Sequence, residues 1–117
     1  MAIQRLHTDP RMSQVVVHNG TVYLAGQVAD DLTAGVEQQT REVLASVDRL
    51  LDEAGTDRSR VLSATIYLKD VAADFAGMNG VWDQWVPQGC APARATVQAA
   101  LCYPEILVEI SIVAALP

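Results

Sequence analysis

Residues 92–113, PARATVQAALCYPEILVEISIV, hold two strand patterns on either side of a Tyr-Pro turn, and how they pair decides the order of the sheet. Side chains alternate along an extended chain, so Arg94, Thr96, Gln98 and Ala100 share one face and Ala95, Val97, Ala99 and Leu101 the other. In the second pattern Ile106, Val108, Ile110 and Ile112 line one side, opposite Leu107, Glu109, Ser111 and Val113. The expected strands are Ala93 to Leu101 and Ile106 to Ala114. A hairpin turning at 102–105 sets Glu109 opposite about Gln98 and leaves Arg94 roughly 13 Å away, at about 3.3 Å per residue. The two charges then do not neutralise each other directly. The residues alone leave two readings open: Arg94 pairs with a surface carboxylate and Glu109 is solvated, or the two hold a ligand between them or complete sites with a neighbouring subunit.

Upstream, the elements follow in order. Ile3 to His7 reads as a short strand ended by Asp9-Pro10, since proline supplies no backbone donor. In SQVVVHNGTVYLAGQ, Asn19-Gly20 separates two β-branched runs and supplies the positive φ angles of a tight type I′ hairpin. From Val36 to Ala54, the positions Val36, Val43, Leu44, Val47, Leu50, Leu51 and Ala54 make one apolar helical face, with Thr33 a candidate N-cap and Gly55 a C-terminal stop. Arg60 to Leu68 alternates, with Leu62, Ala64, Ile66 and Leu68 forming an apolar face. A second helix, capped by Asp70 and ended by Pro87, carries Val71, Phe75, Met78, Trp82 and Trp85 on its inner face. This order predicts one α+β domain over residues 1–117: a mostly antiparallel or mixed sheet of about six strands, with two helices on one face. The other sheet face lacks a charged, water-facing set, and an uncovered apolar face predicts a homo-oligomer.

Composition narrows the function. Half of the 117 residues are hydrophobic and 19% are charged, as in a packed domain. With only eight basic residues and a net charge of −6, the chain lacks the cationic surface that phosphate neutralisation requires, so nucleic acid is not an expected partner. No apolar run follows a basic start and no stretch approaches the roughly 20 apolar residues of a membrane span, so a cytoplasmic location and no membrane association are expected. Cys90 and Cys102 read as reduced thiols, and with His7 and His18 they do not reach zinc-ligand spacing, so no metal is expected. Ser13 is in no nucleophile elbow, and Gly26-Gln27 opens no phosphate cradle. Trp82 and Trp85 read as core, His7 and His18 as solvated.

Six stretches, in this order, resemble the RidA/YjgF family of reactive enamine/imine deaminases: YLAGQV (23–28), LLDEAG (50–55), SATIYLKD (63–70), FAGMNGVWDQW (75–85), PARATV (92–97) and VEISIVA (108–114). The resemblance covers nearly the whole chain. It implies a chorismate-mutase-like fold, a homotrimer with sites between subunits, and cofactor-free hydrolysis of 2-imino or enamino acids such as 2-aminoacrylate to 2-keto acids and ammonia. By the same resemblance Arg94 grips the substrate carboxylate, Glu109 handles the attacking water, Thr96 offers an amide or hydroxyl to a carboxylate oxygen, and Gly26 and Asn79 line the cleft. Two positions depart from the family pattern: Met12 stands where a tyrosine is common, and Ala25 where serine is common. Both changes remove polar groups, Met12 from within the candidate substrate-binding set, which leaves a non-catalytic trimeric binding protein for small keto acids or related carboxylates as the alternative. A ribonuclease role has also been attached to the family, and the acidic balance opposes it.

Overall fold

The structure, a computed structural model, describes residues 2–117. The strands β1 (Gln4–Thr8), β2 (Ser13–His18) and β3 (Thr21–Leu24) form an antiparallel meander. Its second turn is the expected one: Asn19 and Gly20 take φ of 52° and 76°, the left-handed pair that matches strand twist. Helix α1 (Val36–Ala54) follows and buries Val43, Leu44, Val47, Leu50 and Leu51. Gly55, at φ 90°, ends it by bonding back to the last turn. Its N-cap is Gly35 rather than Thr33, whose amide and hydroxyl donate to Asp31 instead.

A short 3-10 turn at Arg58–Arg60 leads into β4 (Val61–Leu68), then α2 (Val71–Trp85), β5 (Ala93–Gln98) and β6 (Val108–Ala115). The Asp70 carboxylate caps α2 by accepting from the Ala73 amide at 3.1 Å. The order β1-β2-β3-β6-β4-β5 makes one six-stranded mixed sheet. The inner sheet face, including Val15, Val22, Ile66, Leu68, Ile110 and Ile112, shares one core with α1 and α2. Each fully buried aliphatic side chain there stabilises the fold by about 1.5–3 kcal/mol before entropy is counted.

The pairing expected for residues 92–113 is not the one formed. β5 does not form a hairpin with β6; it runs parallel to β4, and β4 lies between them. The reason is that β4, α2 and β5 make a strand–helix–strand crossover, which brings the chain back in the same direction. The following nine-residue segment then carries the chain past the end of β4, so β5 stops at Gln98 and β6 starts at Val108. Buried Gln39 fixes this segment, donating to the Glu105 carbonyl and accepting from the Leu107 amide, both at 3.0 Å. Lys69 adds a bond from its side chain to the Pro104 carbonyl at 2.7 Å.

Two smaller differences concern the core. A register shift between Val61 and Ser63 turns Leu62 outward and Val61 inward. On α2, Phe75 is exposed and Val81 is buried in its place, while Met78, Trp82 and Trp85 are core as expected. The outer sheet face is open within this chain and carries Tyr23, Thr65, Tyr67, Val97, Glu109, Ser111 and Val113. Tyr23 is 48% and Val97 41% exposed there.

Candidate functional site

Arg94 is the second residue of β5, opposite Ala64, whose buried side chain faces the helices; Arg94 therefore points to the helix side of the sheet. Its guanidinium donates to Asn79 Oδ1 at 2.8 Å and lies over the Trp82 ring, 5.5 Å from the centroid. Asn79 and Trp82 are three residues apart on α2, which puts amide and indole on neighbouring positions of one helical face. Among the described residues no carboxylate pairs with Arg94. The cation is thus oriented by neutral groups, with most of its donors left for another acceptor. Thr96 follows on the same face, opposite Ile66, and its hydroxyl oxygen is buried with no hydrogen-bond partner.

Glu109 lies on the open face, opposite Tyr67. Its side chain crosses directly over Gly26: a methyl group on Gly26 would overlap Oε2 and come within 2.9 Å of Cδ and 3.1 Å of Cγ. Glycine is required here for clearance, not for backbone conformation. Gly26, Tyr67, Glu109 and Ser111 line a cavity of about 510 Å³ with residues 99–102. Its walls combine a carboxylate, a phenol, a hydroxyl and the thiol of Cys102, all able to exchange hydrogen bonds with a small polar ligand.

The six candidate residues therefore fall into two groups and one outlier. Arg94, Asn79 and Thr96 belong to the helix side; Glu109 and Gly26 belong to the open side. Both Val97 and Glu109 face Tyr67 across one strand spacing each, and Arg94 is three residues from Val97, so the Cα atoms of Arg94 and Glu109 are about 14 Å apart. The separation is close to that expected from the sequence, but the reason differs: two strands and opposite faces, not hairpin register. Met12 sits apart in the β1–β2 turn, 40% exposed, its amide bonded to Asp9 Oδ1 at 2.9 Å. The roles of Trp82 beneath the guanidinium and Tyr67 beside Glu109 were not evident from the sequence. The spacing of Asn79 and Trp82 signals the first; the second needs the strand order.

A six-stranded mixed sheet with both helices on one face, and polar groups gathered at its edge and on its open side, defines a two-layer α+β domain. A family model described as Endoribonuclease L-PSP matches residues 2–116. The chain belongs to this family, which is the RidA/YjgF family that its motifs resemble. It is 48% identical over 115 residues to the RutC family protein YoaB of Escherichia coli (strain K12), an alignment covering 98% of this chain and 99% of the relative. A YjgF-family crystal structure from Neisseria meningitidis superimposes with a TM-score of 0.95 at 47% identity, covering 100% of this chain and 97% of the other. An uncharacterized protein from Pseudomonas aeruginosa gives 0.96 at 45% identity, covering 99% and 100%.

Proposed function

We propose that the protein hydrolyses reactive 2-imino or enamino acids to 2-keto acids and ammonia, at sites where Arg94 of one subunit meets Glu109 of another in a homotrimer. The observation that carries this reading is the Arg94 guanidinium, fixed by Asn79 and Trp82 and paired with no carboxylate among the described residues. Such a planar fork matches a substrate carboxylate through two parallel hydrogen bonds. The opposite orientations of Arg94 and Glu109 favour a site completed by two copies, and the exposed apolar groups of the open face favour their association.

In the proposed reaction Glu109 takes a proton from water as the water oxygen bonds to the imine carbon. That proton passes to nitrogen to give the carbinolamine; the hydroxyl proton then moves to the same nitrogen, the C–N bond breaks, and ammonia leaves as the carbonyl forms. Water and imine supply every atom of the products, and no electron is transferred to or from the protein. The acidic net charge opposes the ribonuclease reading suggested by the family's printed description.

The test is keto-acid release from an imine generated in situ by an amino-acid oxidase. The wild type accelerates it, and Arg94→Ala lowers kcat/KM by roughly a hundredfold, the loss of about 3 kcal/mol from charge-assisted bonds. An Arg94→Ala protein equal to wild type refutes the assignment. The second reading, a binding protein without turnover, is favoured by Met12 and Ala25, which supply no side-chain hydroxyl. Saturable calorimetric binding of a 2-keto acid, with no acceleration of any imine tested, selects it.

A further inference from the structure

Gln27 is 8% exposed, and its side chain uses both amide protons and its oxygen. Nε2 donates to Gln14 Oε1 at 2.8 Å and to the Ala25 carbonyl at 2.9 Å, while Oε1 accepts from the Ser46 hydroxyl at 2.7 Å. Ser46 is held in turn by Arg49 at 3.2 Å. These bonds tie α1 to the 25–27 segment and to Gln14 of β2. The Gln27 backbone meanwhile exchanges two bonds with Ile110, at 2.9 and 3.1 Å, next to Glu109 in the chain.

Gln27 thus fixes both neighbours of the Glu109 carboxylate: the strand that carries it and the Gly26 surface over which it lies. A cavity of about 350 Å³, lined in part by Gln14, Gln27, Ser46 and Arg49, adjoins this amide on its own side. The amide's orientation is set by its three hydrogen bonds.

We propose that Gln27 is a positioning residue, holding the 25–27 segment so that the Glu109 carboxylate keeps its place over Gly26, with Ser46 as the anchor on α1. The proposal rests on the reading that Glu109 handles the attacking water, but it concerns the placement of the carboxylate and has a test of its own. Gln27→Met keeps the side chain's length and removes its hydrogen bonds; Ser46→Ala removes only the anchor.

In protein labelled with ¹³C-carboxyl glutamate, Glu109→Gln assigns the Glu109 resonance. That resonance shifts in Gln27→Met and, by less, in Ser46→Ala, while those of Glu37, Glu42, Glu53 and Glu105 stay fixed. In the imine assay, kcat falls about tenfold, equivalent to about 1.4 kcal/mol, with KM within about twofold. An unmoved Glu109 resonance in the folded variants overturns the proposal whatever the rates, and so does a common movement of all five, which marks general loosening. If Gln27→Met does not fold, Ser46→Ala decides alone. If the wild type turns over no imine, the proposed reaction falls, and the resonances still decide whether Gln27 places Glu109.

Discussion

Arg94 is oriented by an amide and an indole, neither of which competes for its charge, so the shape of the guanidinium matters as much as its sign. Arg94→Lys keeps the cation and loses the fork; it is expected to raise KM for a carboxylate-bearing imine about tenfold without unfolding the protein. Gly26→Ala probes the surface beneath the Glu109 side chain. The displaced atom is the end of a flexible side chain, so the cost in stability stays below about 1 kcal/mol by thermal melting. Turnover nevertheless falls, because the Glu109 carboxylate must move. At this scale the sequence marked the residues and their separation but not the side of the sheet each faces. Strand phasing marked Arg94 and Glu109 as polar groups in apolar surroundings, and the family motifs suggested the roles proposed for them. That they face opposite sides of the sheet depends on β4 lying between their strands, and no local pattern records which strands become neighbours.

Among the elements, the secure readings are those with local causes: the Asn19-Gly20 turn, the Gly55 stop and the Asp70 cap. The misread hairpin has a non-local cause, since Gln39 holds Glu105 and Leu107 from another part of the chain. Leu62 belongs with it, turned outward by a bulge that alternation does not reveal. Several turns depend on aspartates acting as acceptors. Asp9 is held below its usual value of 3.8 by the backbone amides of Met12 and Arg11. Asp31 and Asp57 are lowered chiefly by the hydroxyls of Thr33 and Ser59, then by the same residues' backbone amides. A folded-state value below the unfolded one stabilises the protein fully above pH 3.8, and the contribution is lost as pH falls through the lowered value. Thermal melting of Asp9→Ala should therefore lie below wild type at neutral pH, and the gap should narrow toward about pH 2. A gap independent of pH would remove the carboxylate from the account of the Met12 turn.

For the whole molecule, the open face and the separation of Arg94 from Glu109 make one joint prediction. Arg94→Ala and Glu109→Gln proteins, each strongly impaired alone, are unfolded, mixed in equal amounts and refolded together. If each site takes its arginine from one subunit and its glutamate from the next, random assembly leaves about a quarter of the sites intact, and about a quarter of wild-type activity returns. No recovery would mean that both residues act within one chain. The strand order carries a further consequence, which concerns time. β6, the last strand in the sequence, lies between β3 and β4, so it joins the meander to the crossover unit. Until it is inserted, those two parts lack a common sheet, and Thr56 lacks the Ala115 carbonyl that its hydroxyl bonds at 2.7 Å. Pairings so distant in sequence close slowly. On the ribosome the domain must wait for its final strand to emerge, and the unfilled edges of β3 and β4 are where a chaperone would be needed.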